Sequence, residues 1–116
     1  MKLPNRDKSY IPPSKLHRYL LSLSHATGHS KALFFRRFGF NEHNATLLED
    51  GLLAIAQTVD VSHEIITTFG VKYVIDGSLQ TPRNSIITVR TVWIVEQGEY
   101  RPRFVTAYPK DKKREQ

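Results

Sequence analysis

The sequence predicts an α+β domain, with helices in its first half and a four-stranded antiparallel β-sheet in its second. Three observations carry this. Apolar residues recur at three- and four-residue intervals as far as Gln57, then at every second position. The runs are separated by short breaks rich in Gly, Pro, Asn and Ser. Those breaks are too short for the crossovers that parallel strands need. Helices followed by strands place the helices on one face of the sheet and leave the other face free as a working surface.

Residues 1–13 read as an extended N-terminal arm, because Pro4, Pro12 and Pro13 oppose helix locally. Ser14 can cap a first helix over 15–24, with Leu16, Tyr19, Leu20 and Leu23 as its stripe. Ser24 to His29 breaks the chain, and Ser30 caps a second helix over 31–38 that stops at Gly39. Asn41 or Asn44 starts a third helix over 45–57, with a core stripe of Leu48, Leu52 and Ile55. Gly51 costs that helix about 1 kcal/mol relative to alanine, which points to close packing there. The helical half thus spans 14–57 and the sheet 58–109.

Val59 to Thr67 alternates as a first strand. Val71 to Ile75 forms a second, ended by Asp76-Gly77, and residues 81–85 form a loop. Ile86 to Glu96 is apolar on both faces and reads as a central strand. Arg103 to Tyr108 is the fourth, closed by Pro109 and followed by a basic tail, 110–116. A chain of 116 residues fits a single domain, 1–116.

With no cysteine, the chain has no disulfide, thiolate metal site or cysteine nucleophile. The charged, proline-rich start and the lack of any apolar run near ~20 residues predict a cytoplasmic protein without membrane contact. Net charge is +6, unevenly spread. Residues 1–40 hold eight basic and one acidic side chain, 41–80 one basic and six acidic, and 81–116 eight basic and four acidic. Two basic ends around an acidic middle can form one positive face, which suits a polyanion.

No glycine-rich phosphate loop, Gly-x-Ser-x-Gly elbow or His-Glu-x-x-His pattern is present, so no metal site is expected. One candidate cluster is His25, Gly28, His29 and Lys31 at a helix start, where an imidazole moves protons and a lysine holds phosphate; an ordinary polar turn explains it too. The other is Arg90 in the apolar third strand, with Arg103, Thr106 and Tyr108 on the fourth. An arginine, a hydroxyl and a phenol on an open sheet face suit a phosphodiester. A salt bridge from Arg90 to Glu64 or Asp76, with Tyr108 in the core, fits equally. Trp93, Phe104 and Val105 are assigned to the core. Lys72 and Tyr73 face opposite ways, so one can join the site, and His63 can do so from the first strand. Arg36 and Arg37 form a solvated helix face that attracts phosphate.

Three blocks also carry a resemblance. They are Lys2-Leu3-Pro4-Asn5 with Tyr10-Ile11-Pro12, then His25, Gly28, Lys31-Ala32-x-Phe34-Phe35 and Gly39-Phe40, then Val89-Arg90-Thr91-Val92-Trp93-Ile94 with Pro102-Arg103-Phe104-Val105-Thr106-Ala107-Tyr108-Pro109. Together they resemble a family of small uncharacterised prokaryotic proteins, also found as domains of polymorphic toxins. Its layout is similar to the barnase–EndoU–colicin–RelE ribonucleases. The resemblance implies a metal-independent, cofactor-free toxin-type ribonuclease that cleaves RNA by 2′-hydroxyl transesterification, within a toxin–antitoxin pair. By the same resemblance His25 is the general base or acid, and Lys31, Arg90 and Arg103 stabilise phosphate. Thr106 orients it, and Tyr108 stacks a base or serves as the alternative acid. Lys72, Arg36 and Arg37 add RNA contacts, and a small antitoxin or immunity protein is the expected partner. A non-catalytic nucleic-acid-binding or protein-interaction module remains the alternative.

Overall fold

A computed structural model describes residues 1–20 and 29–110, with side chains for residues 1–17 and 32–110. The element order is a 3₁₀ turn (Arg6–Lys8), a π-helical segment (Lys15–Leu20), α1 (His29–Arg37), α2 (Ala45–Thr58), β1 (His63–Ile66), β2 (Gly70–Gln80), β3 (Ile86–Glu96) and β4 (Arg103–Pro109). The strands form one antiparallel sheet in the order β1-β2-β3-β4. The fold class is the one the sequence predicts.

Alternation decides the two faces. Tyr73, Ile75 and Leu79 of β2, Val89 and Trp93 of β3, and Phe104 and Ala107 of β4 point to one side and are buried against Leu48, Leu52 and Ile55 of α2 and Phe35 of α1. Trp93 and Phe104 meet edge to face with centroids 5.3 Å apart. The indole N–H donates to Thr91 Oγ1 (2.9 Å), and that hydroxyl donates to the Ile75 carbonyl (2.8 Å), so this pair of buried polar groups is satisfied. Gly51 of α2 and Gly77 of β2 allow the close contact between helix and sheet. A Cβ on Gly51 would collide with Leu79, and one on Gly77 would lie 2.8 Å from Ile55.

Four expectations are corrected. β2 does not end at Asp76-Gly77 but runs to Gln80, because Gly77 faces α2 and Asp76 pairs across to Arg90. β1 is four residues, not nine. Val59 to Ser62 is not strand: Val59 caps α2 and Val61 N–H donates to the Met1 carbonyl. The first helix is π-helical over Lys15–Leu20, and its expected end at 21–24 lies outside the described residues. Val105 is not core: a β-bulge turns it to the other face.

The N-terminal arm is tied down at both ends of the sheet. Leu3 and Ile11 are buried. Lys2 pairs with Asp60 at 2.7 Å near β1. Tyr10 bonds to both Pro102 and Phe104 along the outer edge of β4, and Arg101 stacks over its ring at 4.1 Å. This blunts an edge that would otherwise pair with another strand.

Candidate functional site

Among the described residues no helix lies on the second sheet face, and strand register orders its side chains in rows. Ile65 of β1, Lys72 of β2, Ile94 of β3 and Arg103 of β4 form one row. The next is His63, Val74, Val92 and Thr106. Then come Asp76, Arg90 and Tyr108, and last Ser78 and Thr88, whose carbonyl accepts from the Lys110 N–H at 3.0 Å. The bulge between Val92 and Trp93 inserts Val105 into β4, so Val105 and Thr106 both face this side while Phe104 and Ala107 stay in the core.

These rows surround a concavity of about 440 Å³. Its floor is Ile65, Val74, Val92 and Val105, and its polar rim is His63, Lys72, Arg90, Thr106 and Tyr108. A second hollow of about 290 Å³, lined by Arg90, Tyr108, Pro109 and Lys110, shares Arg90 and Tyr108 with it. An apolar floor with a few converging polar groups is the common form of a ligand site.

Arg90 is the centre of its charge. Its Nε and Nη2 donate to the two Asp76 oxygens at 2.8 and 2.9 Å, a bidentate pair. Lys110 Nζ stands 3.8 Å from the same carboxylate. The Arg90 hydrogen bonds hold the Asp76 carboxyl below its usual range, with further help from the charges of Arg90, Lys110 and His63 against the opposing effect of burial. Those same bonds raise Arg90 above its ordinary value, with Tyr108 adding to the effect. The pair leaves the Nη1 edge of the guanidinium unused by Asp76. Two basic groups on one carboxylate leave local positive charge in excess. The Thr106 hydroxyl is buried without a hydrogen-bond partner, an uncommon state for a polar atom.

Arg90, Thr106, Tyr108 and Lys72 therefore line one concavity, and Tyr108 is exposed rather than core. The alternative of an Arg90–Asp76 ion pair is also present, but on the open face rather than beneath a helix. Arg103 sits in the outer row, held to Glu96 at 2.8 Å, and does not line the concavity. Arg36 and Arg37 belong to α1 in the helical layer, where Arg36 pairs with Glu42 at 2.6 Å. His25 and Gly28 lie outside the described residues; His29 and Lys31 lie in α1, with side chains outside the description. Asp76, weighed as an ion-pair partner of Arg90, holds that arginine at the site, and Lys110 is an addition: it reads as the start of a tail, and its membership shows only once β4 is seen to run to Pro109. His63, weighed from its alternation, stands on the rim.

The fold and this face define an α+β protein with a one-sided helical layer and an open, cationic sheet surface. The chain belongs to the family described as Domain of unknown function (DUF6883), which matches residues 2–111. No curated protein matches the sequence. Among solved structures, the chain is similar to a chain of a contact-dependent growth inhibition toxin–immunity protein complex from Klebsiella pneumoniae 342. The TM-score is 0.71 at 16% identity, over 91% of this chain and 97% of that one. No helix among the described residues is long and apolar enough to cross a membrane.

Proposed function

We propose that the chain is a toxin-type endoribonuclease that cleaves RNA by 2′-hydroxyl transesterification on the open sheet face. The observation that carries this is the convergence of Lys72, Arg90, Thr106, Tyr108 and His63 around one uncovered concavity. The shared fold with a chain of a toxin–immunity complex supports the toxin class. Of the two roles in such a complex, a net charge of +6 favours the one that meets a polyanion.

In this reading a general base takes the 2′-hydroxyl proton and the freed oxygen attacks phosphorus. The bond to the 5′-oxygen breaks, a general acid protonates that oxygen, and a 2′,3′-cyclic phosphate and a 5′-hydroxyl remain. Arg90, oriented by Asp76 and hydrogen-bonded to Tyr108, faces the charge that builds on the phosphorane, and Lys72 across the concavity holds a neighbouring phosphate. His63 and Tyr108 are the proton carriers on the face, and His25 is the third candidate from the preceding segment. Arg103, Lys31, Arg36 and Arg37 serve as outlying RNA contacts. A small immunity protein that covers this face is the expected partner.

The test is incubation of the purified protein with total RNA and with transfer RNA in EDTA, beside His25→Ala, His63→Ala and Arg90→Ala variants. Cleavage that persists in EDTA, yields 2′,3′-cyclic ends and falls at least 100-fold in Arg90→Ala and in one histidine variant is expected. Salt-dependent binding without cleavage would make the face a binding module instead.

A further inference from the structure

The open face is not uniformly cationic. Along β2 and β3 a row of apolar side chains, Val74 and Val92, separates Lys72 on one side from Arg90 and Lys110 on the other. Lys72 lies four positions from Asp76, the cross-strand partner of Arg90, which is roughly 13 Å along the strand. Lys72 and Arg90 nevertheless line the same concavity, and the flexible Lys72 stem can shorten that span. Among the described residues Lys72 has no ion-pair partner, while Arg90 gives Nε and Nη2 to Asp76 and also hydrogen-bonds the Tyr108 side chain. In the same row as Val74 and Val92 stands Thr106, whose hydroxyl is buried and has no partner among the described residues.

We infer that this face takes one internal nucleotide of a single strand, with its base on the Val74–Val92–Val105 floor and its two flanking phosphates on Lys72 and on Arg90 with Lys110. This deepens the ribonuclease reading and rests on it for the reaction, not for the binding geometry. The valines meet the flat apolar face of a base. The Thr106 hydroxyl meets a polar group on the base edge and gains the hydrogen bond it lacks. Cations on both sides of the base require a phosphate on both sides of the ribose. The preferred ligand is therefore an interior nucleotide rather than a chain end, so cleavage is endonucleolytic. A duplex does not fit, because its bases are stacked inward and cannot reach the valine floor.

The experiment measures binding of nucleoside 3′,5′-bisphosphates, 3′-monophosphates, 5′-monophosphates and inorganic phosphate by calorimetry, with amide and methyl NMR shifts. The bisphosphate is expected to bind at least tenfold tighter than either monophosphate and to shift the Val74, Val92 and Val105 methyls. Lys72→Ala should weaken the bisphosphate and one monophosphate only, and Arg90→Gln the bisphosphate and the other monophosphate only. Thr106→Val should weaken every nucleoside compound several-fold and leave inorganic phosphate unchanged. Circular dichroism and a Lys72→Gln variant separate loss of charge from loss of fold. Equal affinity for bisphosphate and monophosphate, or loss of the same monophosphate in both cation variants, would overturn the inference. RNA cleavage is scored separately. Cleavage without bisphosphate preference sinks the two-phosphate geometry alone, and bisphosphate preference without cleavage sinks the enzyme reading alone.

Discussion

Arg90 shows how one residue serves both structure and chemistry. Its ion pair with Asp76 stabilises β2 against β3 and fixes the guanidinium plane. Asp76→Asn should cost about 1.5–3 kcal/mol at pH 7, the range for hydrogen bonds to charged groups, as measured by urea unfolding. The Asp76 carboxyl is held below its usual value, so its stabilisation is complete above the unfolded-state value of about 3.9 and is lost as pH falls through the lower folded value. The gap between wild type and Asp76→Asn should therefore be constant from pH 7 to about pH 5 and close toward pH 2. A gap that widens in acid would contradict the assignment. At this scale the sequence was half legible. An arginine inside an apolar strand announces either a partner or an open face, and both hold here. Asp76 was legible as one of two possible partners of Arg90, but not as part of a continuing strand, because the Asp-Gly pair carries a turn signal that tertiary pairing overrides. Thr106 was visible as a hydroxyl, but its want of a partner depends on a bulge that no residue type marks.

At the scale of elements, β3 was readable to its ends because eleven residues, nine of them β-branched or aromatic, run without a breaker. α2 was equally plain, and the cost of Gly51 foretold the close approach of Leu79. β2 was misjudged at Gly77, where the glycine marks contact with α2 rather than a turn. Gly77→Val should destabilise by about 1–3 kcal/mol through overpacking against Ile55. Combined with Ile55→Ala, the penalty should shrink, giving a coupling of about 0.5–3 kcal/mol in a double-mutant cycle by chemical denaturation. Additive losses would show that Gly77 and Ile55 are not energetically coupled, against the close packing described.

For the whole molecule, the uneven charge seen in the sequence gathers only in part. Lys72, Arg90, Arg103 and Lys110 reach the open face, while Arg36 and Arg37 stand in the helical layer. If the open face holds RNA, log K for a single strand should fall with log salt by about 0.7 per phosphate held. Lys72→Ala should lower that slope by about 0.7, as read by fluorescence anisotropy from about 50 to 300 mM salt. The two-layer plan was legible from periodicity alone; the anchoring of the arm was not, since proline spacing says extended and nothing about where the extended chain lies. That anchoring has a consequence for the order of events in synthesis. Asn5 donates to the Tyr100 carbonyl across 95 residues, and Arg101 to the Lys8 carbonyl across 93. A growing chain must wait for its last strand before its first residues find their seats, some 5–20 s at ordinary rates of translation. Until then neither β4 nor the concavity it helps to line exists.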